Sequence, residues 1–320
     1  MNEPVLEARG LRVHYRTKRG PVRAVDGVDF DLRSGETLGV VGETGCGKST
    51  LGKAILGVLP RGTTVEGSLR LRGKELLRLD PGEYRRLRGE ELALIFQDPM
   101  TRLDPLMTIR DHFLETIRVH KRDISRPEAV RRAQEALRAM GIPESRLNHY
   151  PHEFSGGMRQ RIMIAMALVL KPKLLVADEP TTALDVIVEA QILDILRDLK
   201  RSYGMSLLLI THNLGIVAEV CDRAAVMYAG RFAEIGSVDD VFRRPIHPYT
   251  QGLLASTIHL NTRELKSIDG LPPSLLAPPP GCRFHPRCPH AKDLCAREEP
   301  SMVEYRAGQP AACHFGRDFL

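Results

Sequence analysis

The sequence lacks tryptophan altogether, and aromatic residues make up only 5% of its 320 residues. It also lacks a strong charge bias, because 46 Lys and Arg face 40 Asp and Glu, a formal net charge of +6. The longest apolar run, residues 162–170, is too short to span a bilayer, and residues 1–4 lack a signal-peptide pattern. We therefore expect a globular cytosolic protein whose mild basic excess favours anionic partners, such as a nucleotide or a membrane surface.

Cysteine is also scarce, with six in the whole chain, and four of them are confined to residues 282–313. Disulfides are rare in cytosolic proteins, so this group predicts a metal site. The C-x₅-C-x₆-C-x₁₇-C spacing lacks the tight pair of most structural zinc sites and is compatible with an iron–sulfur cluster. Zinc remains the alternative, with His285, His290 and His314 as substitute ligands. The four cysteines are Cys282, Cys288, Cys295 and Cys313.

A glycine-rich stretch near the start of the chain carries the strongest motif. It matches G-x-x-x-x-G-K-[ST], between an apolar run at 38–41 and a helix-like segment at 51–56. Its glycines let backbone N–H groups cradle phosphate oxygens, helped by the positive end of the following helix. Lys48 would reach the β- and γ-phosphates, and the Ser49 hydroxyl would bind Mg²⁺. An ordinary glycine-rich turn is the alternative. The residues of this phosphate loop are Gly42, Glu43, Thr44, Gly45, Cys46, Gly47, Lys48, Ser49 and Thr50.

Two carboxylates end an apolar strand predicted at 174–177. In a phosphate-loop protein, this is the position of an aspartate that holds Mg²⁺, here Asp178, followed by an acid that acts on water, here Glu179. His212 follows another predicted strand, 206–211, at the end where ligands bind in open α/β sheets. The alternative interpretation of His212 is a structural histidine. The alternative interpretation of the two acids is an ordinary polar loop at the end of a strand.

A serine and two glycines open a helix predicted to run through residues 162–170. Ser155, Gly156 and Gly157 there predict a second anion-binding helix N-terminus, with a plain N-cap as the alternative. Tyr15 is a lone aromatic upstream of the phosphate loop, and either strand packing or stacking on a base would explain it.

The remaining pattern predicts an α/β protein in two parts. Strands are expected in 5–8, 11–15, 25–32, 92–96, 224–228 and 231–235, and a glycine-punctuated β region in 57–80. Helices are expected from Ser125 to Gly141, from Asp185 to Gly204, and in a short stretch that ends near Arg244. Composition becomes proline-rich at Pro245, which predicts domains 1–245 and 246–320.

Taken in order, these motifs resemble the nucleotide-binding subunits of ABC transporters. The similar segments are the Walker A motif at 42–50, the Q-loop at Gln97, the signature at 155–160, the Walker B motif at 174–179, the D-loop at 183–185 and the switch histidine at His212. The resemblance covers residues 5 to about 245. It implies a phosphate-loop NTPase core with an antiparallel β subdomain, a helical subdomain at about 98–165 and a C-terminal extension that contains the cysteines.

A finer resemblance is to the peptide/nickel importer family, carried by segments 96–100, 181–186, 247–250 and 282–289. Two positions depart from more familiar patterns. Met158 replaces the glutamine of the general ABC signature, as is usual in this subfamily, and Asp104 stands where asparagine is more common. Neither departure removes a catalytic group, so the resemblance implies an active ATPase.

The resemblance further implies a role for each motif residue. Tyr15 would stack on adenine, and the loop and Lys48 would bind phosphates. Ser49 and Asp178 would hold Mg²⁺, and Gln97 would touch the metal or water when ATP is bound. The catalytic residues would be Gln97, Glu179 and His212. Ser155 and Gly157 would contact the ATP held by a second subunit, and Gly156, Gln160 and Asp185 would be further cofactor-binding residues.

The resemblance also implies partners. They are a paralogous ATPase subunit (a homodimer is the alternative), two membrane permeases that dock a helix near residues 98–108, and an extracytoplasmic solute-binding protein, with no nucleic acid. The chain would lie peripherally on the cytoplasmic face of the inner membrane, and its four tail cysteines would hold a [4Fe–4S] cluster. A soluble ABC-type ATPase acting on nucleic acid or ribosomes, and an importer of nickel or another non-peptide solute, are the alternative functions.

Overall fold

The computed structural model describes residues 3–95, 103–181, 185–256 and 267–320. The chain divides into two compact units, the first formed by Met1–Arg78 and Leu208–Leu320 and the second by Leu79–Leu207. Gln97 and residues 183–184 of the predicted D-loop lie outside the described residues, as does part of the predicted docking segment at 98–108.

An antiparallel sheet occupies the start of the first unit. Its strands are β1 (Pro4–Thr17), β2 (Gly20–Arg33), β4 (Thr64–Leu71) and β5 (Lys74–Glu75), in the order β2-β1-β4-β5. The sequence predicts two short strands where β1 is continuous. The register shifts between Ala8 and Leu11, and Gly10 between them has a positive φ of 54°. A bulge therefore interrupts the alternation without ending the strand.

A second sheet in the first unit carries the phosphate loop. β3 (Thr37–Val41) is buried along its whole length and pairs in parallel with β9 (Arg223–Tyr228). β10 (Arg231–Ser237) pairs antiparallel with β9, and β12 (Gln309–Ala311) and β11 (Val303–Arg306) follow in that order. Continuous burial of β3 is typical of a strand covered on both faces of a sheet. The helices of this unit are α1 (Lys48–Ile55), α7 (Leu214–Val220), α8 (Val238–Arg243), α9 (Pro248–Ala255) and α10 (Asp293–Arg297).

The second unit is mostly helical around the parallel strands β6 (Leu92–Ile95) and β7 (Leu174–Asp178). Its helices are α2 (Pro81–Glu90), α3 (Ile109–His120), α4 (Arg126–Ala139), α5 (Gly156–Leu168) and α6 (Val186–Tyr203). β8 (Ser206–Ile210) crosses the boundary between the two units in sequence.

Several predicted helix ends are confirmed by their caps. The Ser125 hydroxyl accepts the Glu128 N–H at the start of α4, and Gly141 follows that helix with a φ of +68°. The Asp185 carboxylate accepts the Val188 N–H at 2.9 Å at the start of α6, and Gly204 ends it with a φ of +59°. These ends were predictable because a cap acts within one helical turn.

The C-terminal extension packs onto the core of the first unit. Tyr249 and Phe284 are buried in a cluster that includes Tyr228 and Ala233, and Ala311 of β12 pairs with Glu234 of β10. In the described ranges, no helix combines the length and the apolar character needed to cross a bilayer.

Candidate nucleotide-binding site

The phosphate loop lies between β3 and α1, in the strand–loop–helix order that the motif requires. Gly42 and Gly47 have φ values of +152° and +114°, and Gly47 is the N-cap of α1. A Cβ on Gly42 would overlap the carbonyl oxygen of Met227, and one on Gly47 would overlap that of Ala24. Both positions therefore require glycine for backbone conformation and for close approach. The loop backbone thus adopts conformations that suit glycine, as is typical of a loop whose N–H groups point inward to bind phosphate.

Lys48 places its charge against the first turn of this loop. Its Nζ donates to the carbonyl oxygens of Gly42 at 2.7 Å and Glu43 at 3.0 Å, and the residue is only 6% exposed. A buried ammonium held by neutral carbonyls is suited to a negatively charged ligand. Burial raises the pKa of the neighbouring Cys46 thiol, so that side chain carries no charge at neutral pH.

Tyr15 and His212 lie in the same unit as the loop. The half-buried Tyr15 donates its hydroxyl to Thr50 Oγ1 at 3.1 Å, which ties the ring to the first turn of α1. The Thr211 N–H donates to the carbonyl of Val40, near the carboxyl end of β3, at 3.2 Å. The next residue, His212, is exposed and therefore follows a segment that lies beside that end of β3. The predicted location of His212 beyond a strand is therefore observed, while adenine stacking by Tyr15 stays a prediction.

Asp178 and Glu179 lie in the second unit. Asp178 is the last residue of β7 and is 7% exposed. Glu179 has a φ of +51°, a left-handed conformation that costs an L residue roughly 1–2 kcal/mol. Such outliers concentrate at functional sites, where the surrounding structure holds them. The geometry is thus consistent with a dedicated role for Glu179, although its role as a base stays a prediction.

The predicted signature begins α5 in the same unit as these carboxylates. Exposed Ser155 caps the helix by accepting the Met158 N–H at 3.3 Å. A Cβ on Gly157 would lie 2.9 Å from Cγ1 of Val188, so glycine lets the start of α5 approach α6. Gln160 is buried and donates its Nε2 to the Pro180 carbonyl, next to Glu179. The roles of Gly156, Gln160 and Asp185 toward ATP stay predictions.

The four tail cysteines line one pocket in the first unit. Cys282, Cys288, Cys295 and Cys313 border it with His285, His290 and His314. Burial raises the pKa of Cys282 to about 11 and raises those of Cys288 and Cys313 as well. Among the described residues, no three His, Cys, Asp or Glu side chains form a group that could hold a metal ion. The structure thus brings the cysteines together without forming such a group.

Sequence reasoning missed the contacts of Glu43. Its N–H donates to the Tyr249 hydroxyl at 3.0 Å, and its two carboxylate oxygens accept from Arg287 at 2.7 and 3.0 Å. Tyr249 and Arg287 do lie in the segments 247–250 and 282–289 that carry the resemblance to the peptide/nickel importer family. No spacing rule, however, connects either segment with residue 43.

Two family profiles match the parts of the chain that contain most of these motifs. The profile of the ABC transporter family matches residues 25–182, and that of the oligopeptide/dipeptide transporter C-terminal region matches residues 233–295. The dipeptide transport ATP-binding protein DppD of Bacillus subtilis is 49% identical over 307 residues, covering 94% of this chain and 91% of that protein. The oligopeptide transport ATP-binding protein OppD of Salmonella typhimurium is 48% identical over 313 residues, covering 97% and 93%.

The chain belongs to this family of ABC transporter ATP-binding proteins. Solved structures agree on the fold. The cassette MJ0796, a dimer bound to ADP and Pi, gives a TM-score of 0.66 at 26% identity, covering 73% of this chain and 98% of that one. The ABC transporter subunit cbiO1 from Clostridium perfringens gives 0.65 at 27% identity, covering 76% and 92%. As an ABC ATPase, this protein uses ATP with Mg²⁺.

Proposed function

We propose that this ABC ATPase is the motor subunit of an importer that drives uptake of dipeptides and oligopeptides through separate membrane permeases. The observation that carries the proposal is 47–49% identity to dipeptide and oligopeptide transport ATP-binding proteins over almost the whole chain. That similarity includes the C-terminal region that has its own oligopeptide/dipeptide transporter profile. The part of the extension up to residue 295 is thus shared with the oligopeptide/dipeptide transporter family.

ATP hydrolysis at this site needs positioning and charge neutralisation more than covalent chemistry. Lys48 and the loop N–H groups bind the phosphates, and Tyr15 stacks on adenine. Ser49 and buried Asp178 would hold Mg²⁺, which prefers such oxygen ligands, and the bound ion would neutralise phosphate charge. Water is polarised by Glu179, assisted by Gln97 and His212.

Two ATPase subunits close over the nucleotide in this proposal. Ser155 and Gly156 are exposed at the start of α5, where they can meet ATP held by a second subunit. Val186 and Ile187, just after Asp185, are 80% and 72% exposed, and exposed apolar side chains of this size favour a protein contact. The partner is a paralogous ATPase subunit, with a homodimer as the alternative, and the dimeric MJ0796 cassette supports the arrangement.

The membrane partners are two permeases, served by an extracytoplasmic solute-binding protein. Leu106, in the described part of segment 98–108, is 85% exposed and is therefore accessible to a permease helix. The chain would then lie peripherally on the cytoplasmic face of the inner membrane. Residues 1–245 form the ATPase domain with its helical subdomain at about 98–165, and residues 246–320 form the extension.

As a further component we propose a [4Fe–4S] cluster, with Zn²⁺ as the alternative, because all four tail cysteines line one pocket, although no three of these described side chains are grouped to hold a metal ion. Four thiolates are the ligand set of such a cluster, in which each thiolate binds a different iron. Anaerobic purification is expected to give a brown protein that contains iron and acid-labile sulfide. A colourless protein with stoichiometric zinc would contradict the cluster.

Replacing the proposed base tests the catalytic assignment. Glu179→Gln keeps the shape of the side chain but removes its basicity, so turnover should fall by about 10²–10⁴-fold while ATP binding is retained. Size-exclusion chromatography with ATP should show a trapped dimer. Glu66→Gln, at an exposed position on β4, is the matched control and should hydrolyse ATP normally. Wild-type turnover by Glu179→Gln would refute the assignment.

The choice of partner separates the proposed function from its alternative. ATPase activity should rise when the chain is reconstituted with its permeases and a peptide-loaded binding protein. DNA and ribosomes should leave the activity unchanged. Stimulation by either of these, without an effect of permeases, would favour a soluble ABC-type ATPase.

A further inference from the structure

We infer that the C-terminal extension contributes to the nucleotide site. Its residues Arg287 and Tyr249 are positioning residues, which hold Glu43 and thereby set the conformation of the phosphate loop. This inference takes from the proposed function only that the loop binds ATP. All the contacts that carry it lie within the first unit.

Glu43 is held at each of its polar groups. Its N–H donates to the Tyr249 hydroxyl, and its carbonyl accepts Lys48 Nζ, both at 3.0 Å. Its carboxylate forms a bidentate ion pair with Arg287, in which Nη1 donates to Oε2 at 2.7 Å and Nη2 donates to Oε1 at 3.0 Å. The second residue of the loop therefore lies between the phosphate-binding lysine and the extension.

The two residues of the extension are themselves fixed. Tyr249 is completely buried, with its ring centroid 4.5 Å from that of Tyr228 and 5.4 Å from that of Phe284. The Arg287 side chain is 5% exposed, its Cζ lies 5.8 Å from the Tyr228 ring centroid, and its Nε donates to the Asp269 carbonyl at 2.8 Å. A guanidinium fixed by these two contacts imposes its own geometry on the carboxylate that it pairs with.

Burial gives this ion pair an energetic weight that a surface pair lacks. Exposed pairs contribute little, because water already solvates both ions. Here the Glu43 side chain is 24% exposed and Arg287 nearly buried, so the carboxylate depends on the guanidinium for its compensation. Without Arg287, a negative charge would remain on the loop that must accept a polyphosphate, and it would be free to compete with phosphate for Lys48.

The kinetic test uses Arg287→Met, which keeps the apolar stem and removes the guanidinium. We expect the KM for ATP to rise about tenfold, with kcat at saturating ATP within about twofold of the wild type. A purely structural role would lower the amount of folded enzyme, and thus the apparent kcat, without changing KM. Arg297→Met, on the same extension with a side chain 74% exposed, is the matched control and should leave KM unchanged.

The double variant tests the mechanism. Glu43→Gln removes the charge that Arg287 compensates, so Glu43→Gln/Arg287→Met should bind ATP about as well as Glu43→Gln alone and better than Arg287→Met. Tyr249→Phe removes one hydroxyl from an otherwise unchanged ring and should raise KM by about threefold. It keeps the inference testable if Arg287→Met does not fold.

Wild-type KM values in both Arg287→Met and Tyr249→Phe would overturn the inference. The inference would also be overturned if Glu43→Gln and Arg287→Met acted independently, so that the fold-loss of ATP affinity in the double variant equalled the product of the two single fold-losses. Failure of the wild-type protein itself to bind ATP would instead count against the proposed function, so the two failures are distinguishable.

Discussion

At the scale of single residues, His247 shows how burial sets the charge of a side chain. Its Nδ1 accepts the Tyr249 N–H at 3.0 Å at the start of α9, which requires that nitrogen to be unprotonated. The residue is 4% exposed, and burial lowers its pKa to about 4 from an ordinary value of 6.5. His247 is therefore a neutral helix cap at physiological pH.

This cap predicts a pH dependence of stability. Because the pKa is lower in the folded state, the unfolded chain binds the proton first as pH falls from 6.5 toward about 4. The free energy of unfolding should therefore fall across that window, by up to roughly 3 kcal/mol. His247→Asn keeps a capping group without titration and should flatten the dependence, measured by urea unfolding at pH 5 and pH 7. Exposed His152→Asn is the control, and equal slopes in both variants would contradict the prediction.

At the scale of elements, a buried ion pair joins β2 to the extension. The Arg283 guanidinium pairs with the Asp26 carboxylate and also donates to the Ala229 carbonyl, and both paired side chains are 7% exposed. Burial by itself raises the pKa of Asp26, but hydrogen bonds from Arg283 and His14 outweigh it and leave the pKa below its ordinary value. The carboxylate is thus charged and depends on its partners.

Breaking this pair should destabilise the fold. Arg283→Met leaves a buried carboxylate with weaker compensation and should lower the free energy of unfolding by about 3 kcal/mol. Asp26→Asn/Arg283→Met removes both charges and should recover part of that loss, as measured by chemical unfolding. Exposed Arg297→Met again serves as the control, with an effect within about 0.5 kcal/mol. A double variant less stable than Arg283→Met would argue against the ion pair as the cause.

At the scale of the molecule, the extension is part of the first unit's core. Glu234 of β10 is completely buried, and its carboxylate accepts the N–H groups of Ile246 and His247 at 2.9 and 3.0 Å and Gln309 Nε2 at 2.8 Å. All three donors belong to the extension. The change of composition at Pro245 therefore marks no break in packing.

Truncation after Pro245 tests this integration. The shortened chain would lose the donors to Glu234 and the strand that covers the edge of β10, which leaves an open apolar edge. We expect most of it to be insoluble, and any soluble fraction to melt at least about 10 °C below the full chain. Calorimetry and size-exclusion chromatography on both chains provide the measurement. A monomer that melts at the full-length temperature would show that the extension is an independent domain.

Most of the fold's local features were predictable. The strands β6 (Leu92–Ile95) and β7 (Leu174–Asp178), the cap at Asp185 and the end of α6 at Gly204 follow the sequence closely, because apolar runs and capping residues act over a few residues. The continuous β1 was missed, since a bulge at Gly10 breaks the alternation but not the pairing. The strands of the extension were missed because short segments owe their conformation to β10, far away in sequence.

The sequence by itself determined the phosphate loop, the carboxylates at 178–179 and the family, since each motif is contiguous and its residue types carry the chemistry. Only the tertiary structure decided which side chains support those motifs. Glu43 and Arg287 are 244 residues apart, and Asp26 and Arg283 are 257 apart. Contacts at such separations arise from the packing of the extension onto the first unit's core, which no local periodicity or spacing encodes.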